Sequence, residues 1–211
     1  MRETGKLQCV SELLGLSMRV ILNMRKMKKH PKEFFFTDAQ RMPNILDVIK
    51  FLPENVGIVF RHYNHPERTA LAKTISKLCN DQNRTLLIGK DINLAKRLNS
   101  GLHIPEYLLN SISNIDISGL PFVTCSAHNL SALKKAQSLN LSAAFLSPLF
   151  KTKTHEGEKG LGLINFLVKA GFTKMPIYAL GGISYFNKPS IPKNKNILGI
   201  GGIRLFLKIR S

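Results

Sequence analysis

From residue 34 onward, short apolar, β-branched or aromatic runs alternate with stretches whose hydrophobic residues recur at helical spacing. This alternation is the signature of repeated βα units and constrains the fold more than any other feature of the chain. Eight runs begin near Phe34 (FFFT), Gly57 (GIVFRHY), Thr85 (TLLIGK), Gly101 (GLHIPE), Phe122 (FVTCSAH), Ala143 (AAFLSPLF), Ile177 (IYALGGI) and Ile197 (ILGIGGIR). Eight parallel strands with intervening helices close into a barrel. The expected fold is a single α/β domain, a (β/α)8 TIM barrel over residues 33–211, preceded by a basic N-terminal helical extension over residues 1–32.

The segments between the runs carry start and stop signals of their own. After Pro66, Leu71, Ile75 and Leu78 form one helical stripe, with Asn64 and Pro66 as start signals. Asp91 is placed to cap a helix with Ile92, Ala95 and Leu98 on one side, and Asn129 to cap one carrying Leu130, Leu133, Ala136 and Leu139. Leu163 to Val168 reads as a further apolar helix, which Gly171 is placed to end. Tyr185 to Asn196 is rich in Pro, Lys and Asn and makes a poor helix. Only Leu205 to Ser211 follow the last strand, too few for a closing helix, so the last βα unit is expected to be shortened.

With 211 residues and 44% hydrophobic content, the chain can bury one sizeable core and has no need of two. No apolar run reaches the roughly 18 residues that a membrane span requires. Glu12 and Arg19 interrupt the most hydrophobic part of the N-terminus. Leu7 to Met27 combines helical periodicity with basic residues, as a transit peptide does, but Glu3 and Glu12 favour a leading helix. Cys9, Cys79 and Cys125 are odd in number and far apart, which suggests neither a disulfide framework nor a zinc site. A cytoplasmic location is expected. The net charge of +18 is spread along the chain without a recognisable nucleic-acid motif. It is read as surface composition plus attraction of phosphate ligands, with a basic nucleic-acid-binding protein kept as an alternative.

In such barrels the active site lies at the C-terminal ends of the strands. Those ends supply Asp38, Arg61, Lys90, Glu106, Ser126, His128, Thr152, Thr154, His155, Gly181, Gly182, Gly202 and Arg204. Cations, hydroxyls and exposed backbone amides dominate this ring, the chemistry a phosphate ester or pyrophosphate requires. The glycines of ALGGI and GIGGIR follow the last two strands, where barrels of this kind commonly hold phosphate on backbone N–H groups.

The series FRHY, GLHIPE, VTCSAHN, LSPLFKTKTH, ALGGI and GIGGI, over residues 34 to about 206, resembles the thiamine phosphate synthase/TenI family in order and spacing. Its most specific pieces are SAHN, similar to the family's S-T-H-N, and SPLFKTKTH, similar to its G-P-x-F-x-T-x-T-K. The resemblance implies a transferase of thiamine biosynthesis or salvage. It would join hydroxymethylpyrimidine pyrophosphate to thiazole phosphate through a pyrimidine carbocation, or act on a related heterocyclic phosphate. It implies that Arg61 and Ser126 hold the pyrophosphate, that Thr152 and Thr154 surround the phosphates, and that the Gly182 amide holds the thiazole phosphate. The expected catalytic residues are Arg61, Ser126 and His128. The expected phosphate-binding residues are Lys90, Thr152, Thr154, His155, Gly181, Gly182, Gly202 and Arg204.

Several positions depart from the family pattern. Gly89 and Lys90 stand where it has Asn-Asp, and Leu108 stands where it has a second magnesium-binding Asp. Tyr63 and His155 each replace a lysine, and Pro148 stands where the TenI-type thiazole tautomerases carry a histidine. Mg2+ is therefore admitted as a cofactor only with its usual ligands missing, no metal ligand is assigned, and Lys90 is expected to replace part of the ion's charge. A catalytically degenerate barrel that binds thiamine-related phosphates as regulator or carrier is the second reading, and homo-oligomerisation is left open. Taken singly, Arg61 can also pair with Asp38, His103 reads as a satisfied strand histidine, His128 as a loop-orienting residue or a general base, and Cys125 as core.

Overall fold

The computed structural model describes residues 30–42, 44–114, 116–152, 160–192 and 196–206. The chain divides into two units, residues 1–30 and 31–211. The helical extension expected over residues 1–32 lies almost wholly outside the described residues, as do Thr154 and His155. No helix among the described residues is long and apolar enough to cross a membrane.

Eight parallel strands form a closed barrel in sequence order, with β1 pairing both β2 and β8. They are β1 (Glu33–Phe36), β2 (Val56–Phe60), β3 (Leu86–Gly89), β4 (Gly101–Ile104), β5 (Val123–Ala127), β6 (Ala143–Leu146), β7 (Ile177–Leu180) and β8 (Ile197–Gly202). Each coincides with one of the eight apolar runs. Side chains alternate across the wall, so in β1 Phe34 and Phe36 point into the barrel while Phe35 packs outward. The interior is aromatic: Phe34 and Phe145 meet edge to face at 5.4 Å, as do Phe34 and Tyr178 at 5.1 Å. Gly57 makes room for this packing, since a Cβ there would lie 2.4 Å from the Phe34 ring.

The helical layer is uneven. α1 (Ile45–Phe51) follows β1 and buries Ile45 and Ile49, α2 (Arg68–Asp81) follows β2, and α3 (Ile92–Arg97) follows β3. Among the described residues after β4 come two 3-10 turns, Glu106–Leu108 and Ser111–Asn114. α4 (Leu130–Ser138) follows β5 and α5 (Gly162–Gly171) follows β6. Among the described residues after β7 there is a 3-10 turn, Lys188–Ser190, and no α-helix, as the composition predicts. Beyond β8, Phe206 still packs its ring edge to face on Phe35.

The caps behave as electrostatics requires. Asp91 accepts a hydrogen bond from the Leu94 amide and Asn129 from the Ala132 amide, each satisfying an otherwise unpaired donor. Two local expectations change. α2 starts later than Asn64 and Pro66 signal, at Arg68, and its N-cap, Glu67, makes no side-chain cap bond. Its fully buried face is Ala72, Ile75, Ser76 and Cys79, smaller residues that let the helix approach the sheet, with Leu71 and Leu78 at the margins. Gly171 is the last helical residue of α5 and Phe172 is the C-cap, so the glycine does not end the helix through a left-handed turn.

Candidate phosphate-binding cavity

A cavity of about 900 Å³ opens at the C-terminal ends of the strands. One wall is built from side chains locked by a buried layer. Thr37, completely buried just beyond β1, accepts a hydrogen bond from the Arg61 amide at its Oγ1 (2.9 Å) and one from Arg61 Nε at its carbonyl (3.1 Å). The guanidinium lies 5.4 Å over the Phe36 ring and 3.8 Å from Asp38. Arg41 takes the closer place on that carboxylate at 2.7 Å. Burial lowers the Arg61 pKa, and Tyr63 and Asp38 oppose the shift by favouring the cation. Buried His62 completes the support, with Nδ1 3.0 Å from Thr37 Oγ1.

Ser126, in β5, faces the same cavity with its Oγ 3.0 Å from His103 Nε2. His103 is buried inside the barrel. Desolvation, with a smaller contribution from Arg61, lowers its pKa to about 3, so the ring is neutral at physiological pH. His128 follows β5 at the rim, where its Nδ1 contacts Glu106. The Glu106 carboxylate also accepts from the His128 amide (2.6 Å) and from Asn129 Nδ2 (2.9 Å). Because Asn129 caps α4, Glu106 fixes the loop from which both His128 and the helix start. Cys125, beside Ser126 in β5, is core, and burial pushes its thiol up to about 12.

The opposite wall is largely backbone. Gly181 and Gly182, just after β7, have φ values of 93° and 67°. A Cβ at Gly182 would lie 2.6 Å from the carbonyl oxygens of Phe150 and Lys151, so both conformation and space demand glycine. The β6 and β7 loops are tied by the Leu149 amide donating to the Leu180 carbonyl (2.8 Å) and the Phe150 amide to Gly181 (3.1 Å). Asn187 donates to the Gly182 carbonyl and accepts from the Ser184 amide, which holds the loop's outer side. Lys151, Thr152, Ser184, Gly202, Ile203 and Arg204 complete this wall.

The cavity thus brings together Arg61, Ser126, His128, Thr152, Gly181, Gly182, Gly202 and Arg204. It leaves out Lys90, which is exposed in a left-handed conformation (φ 70°) and lines a separate hollow with Arg68, Asn64 and Asp91; Tyr63 borders both. Strand-end reading passed over Arg41, Lys151, Ser184 and Tyr107. Lys151 stands within the quoted LSPLFKTKTH run, so its cation was open to view, whereas Arg41 enters from a loop with no distinctive motif. Among the described residues, the lining carries the cations Arg41, Arg61, Lys151 and Arg204 against the single carboxylate of Glu106. Such a surface selects anions.

A family model described as thiamine monophosphate synthase matches residues 39–204. The chain belongs to that family. A protein of Aquifex aeolicus provisionally named thiamine-phosphate synthase 2 is 29% identical over 84% of this chain and 98% of its own length. The thiamine-phosphate synthase of Pelagibacter ubique is 28% identical over 85% of this chain and 91% of its own. Among solved structures, a thiamine phosphate pyrophosphorylase from Pyrococcus furiosus superposes with a TM-score of 0.68 at 20% identity, covering 82% of this chain and 86% of that one. This likeness concerns the fold.

The residues present do not fit a protein-held magnesium ion, which favours several oxygen ligands. Leu108 packs against the core, Gly89 has no side chain, and no group of three or more His, Cys, Asp or Glu among the described residues is placed to hold a metal. Glu106 and Asp38 are engaged by the donors described above. A Cβ on Gly89 would meet the Tyr63 ring at 2.9 Å, so tyrosine occupies the space beside that position.

Proposed function

We propose that this member of the thiamine monophosphate synthase family joins hydroxymethylpyrimidine pyrophosphate to thiazole phosphate with release of pyrophosphate. The observation that carries this reading is the two-walled cavity, with Arg61 and Ser126 on one side and the glycine loop, Lys151, Thr152 and Arg204 on the other. Two anionic groups can be held apart there, with a reacting carbon and nitrogen between them. The methylene C–O bond breaks with its electron pair leaving on pyrophosphate, and the thiazole nitrogen captures the resulting pyrimidine cation. Arg61 stabilises charge on the leaving group, and its locked guanidinium needs no reorganisation to do so. Ser126 adds a hydroxyl contact. Lys151 and Arg204 neutralise the thiazole phosphate, and the β7 loop offers backbone to it. Within this reading Thr154 and His155 serve as further phosphate ligands, His128 orients the β5 loop, Lys90 supplies a cation at the neighbouring rim, and no step is routed through a metal.

The same reading places the protein in the cytoplasm, and leaves room for a second subunit. The commitment of both nearby carboxylates favours one other reading, a barrel that binds the two phosphates without joining them. Mixing the purified protein with both substrates and following pyrophosphate separates the two. Release that requires both substrates and falls at least about tenfold in Arg61→Ala, the size expected for losing a charged hydrogen bond, supports the synthase. Binding without release supports the carrier, and absence of binding removes both.

A further inference from the structure

We infer that His103 is a positioning residue whose Nε2–H donates a hydrogen bond to Ser126 and so aims the Ser126 hydroxyl proton into the cavity. The inference concerns how the site proposed above presents a donor to an anion, and it rests on that reading only for the ligand. His103 sits between two hydroxyls, with Nδ1 3.0 Å from Thr124 Oγ1 and Nε2 3.0 Å from Ser126 Oγ. A neutral imidazole carries one N–H and one acceptor, so the two hydroxyls are necessarily treated differently.

The choice follows from Thr124. Its single proton has two acceptors in reach, His103 Nδ1 at 3.0 Å and the Leu102 carbonyl at 3.4 Å. The shorter contact is the better hydrogen bond, which makes the Leu102 carbonyl the weaker of the two acceptors. Thr124 therefore donates to Nδ1, the ring proton resides on Nε2, and Nε2–H donates to Ser126. The Ser126 hydroxyl has no other hydrogen-bond partner among the described residues, so its own proton remains for a ligand. The chain Thr124 to His103 to Ser126 to anion runs head to tail, the arrangement in which successive hydrogen bonds polarise one another.

The surroundings keep the ring in this state. Phe36 and Phe145 meet it edge to face, each with centroids 5.4 Å away. The charged group bearing on it is Arg61, which opposes a second proton, and the other neighbours along β4 and β5 are the neutral Thr124, Cys125 and Ser126. The opposite tautomer would turn the Ser126 proton back toward His103 and present only lone pairs to an anion.

The test reads the tautomer directly, by long-range 15N–1H correlation of the His103 ring in the full chain without ligand and then with inorganic pyrophosphate. A protonated Nε2 in both states is expected, and a protonated Nδ1 overturns the inference. Pyrophosphate titration of variants gives the energetic counterpart. His103→Leu should weaken binding by about tenfold, the scale of one hydrogen bond to a charged group, while His103→Gln, whose amide also donates, should restore most of it. In a Ser126→Ala background, His103→Leu should have no further effect, and an undiminished effect there would contradict action through Ser126. If the parent protein does not bind pyrophosphate, the functional reading fails, while the ring spectrum still decides the tautomer.

Discussion

The two sides of the barrel are built to different standards. From β3 to β6 the chain has two helices with side-chain caps, Asp91 on α3 and Asn129 on α4. After β7 and after β8 the described segments hold 3-10 turns and no α-helix. Both sides nevertheless keep their strands, because interior packing joins them: Phe145 of β6 stacks on Tyr178 of β7 at 4.9 Å, and both meet Phe34 of β1. The cavity repeats the contrast. Its first wall presents side chains held by a buried hydrogen-bonded layer, and its second presents a glycine loop whose carbonyls accept hydrogen bonds from the neighbouring loop's amides. A helix layer can thin where ligand contacts come from backbone, provided the barrel interior stays complete.

The largest expected effect lies in that shared interior. Phe145→Ala should cost about 3–5 kcal/mol, against a clearly smaller loss for Phe206→Ala outside β1. Denaturant titration of both variants checks this, and equal losses would mean that the segment after β8 carries as much of the fold as the interior does.

Acid comes next and acts on the first wall. The folded-state pKa of His103, about 3, lies below its ordinary 6.5, so the unfolded chain binds the extra proton first. Its contribution is complete above the ordinary value and is lost as pH falls from about 6.5 toward 3. Burial lowers His62 in the same direction. The loss should be on the order of a few kcal/mol, and His103→Gln should show a shallower decline of stability across that window. Parallel curves would remove His103 as a source of acid sensitivity.

On the second wall, Gly182→Ala should cost at least about 1–3 kcal/mol from its left-handed backbone alone, with the clash against the Phe150 and Lys151 carbonyls added. Thiazole phosphate binding should weaken more than pyrophosphate binding, as titration of each would show. Asn129→Ala should be mildest, about 1 kcal/mol for a lost cap, although losing the Glu106 contact should also loosen His128 at the rim. A neutral result in thermal unfolding would mean that Glu106 holds the loop without help from the cap.

The strands, the Asp91 and Asn129 caps and the poor helix after β7 were legible because local pattern controls each of them. The start of α2 was not, because a tertiary contact sets it: Arg68 turns back to the Gly89 carbonyl at 2.7 Å. Arg61, Ser126 and the glycine loop could be found at strand ends, since barrel geometry brings those ends together. The placement of Lys90 could not. Position along a strand end does not reveal a left-handed backbone or the Tyr63 ring standing between Lys90 and the larger cavity. His103 could be read as a satisfied strand histidine, but its partners and the Thr37–His62 pair stayed hidden, because hydrogen bonds across neighbouring strands leave no spacing in sequence.

The central claim is that two distinct anion walls face one cavity. Calorimetric titration of inorganic pyrophosphate into the protein, first alone and then with thiazole phosphate at saturation, tests it most directly. The account predicts that both ligands bind together, with Arg61→Ala weakening pyrophosphate alone and Arg204→Ala weakening thiazole phosphate alone by about 1–3 kcal/mol. Mutually exclusive binding, or equal losses for both ligands in both variants, would show a single anion site and contradict it.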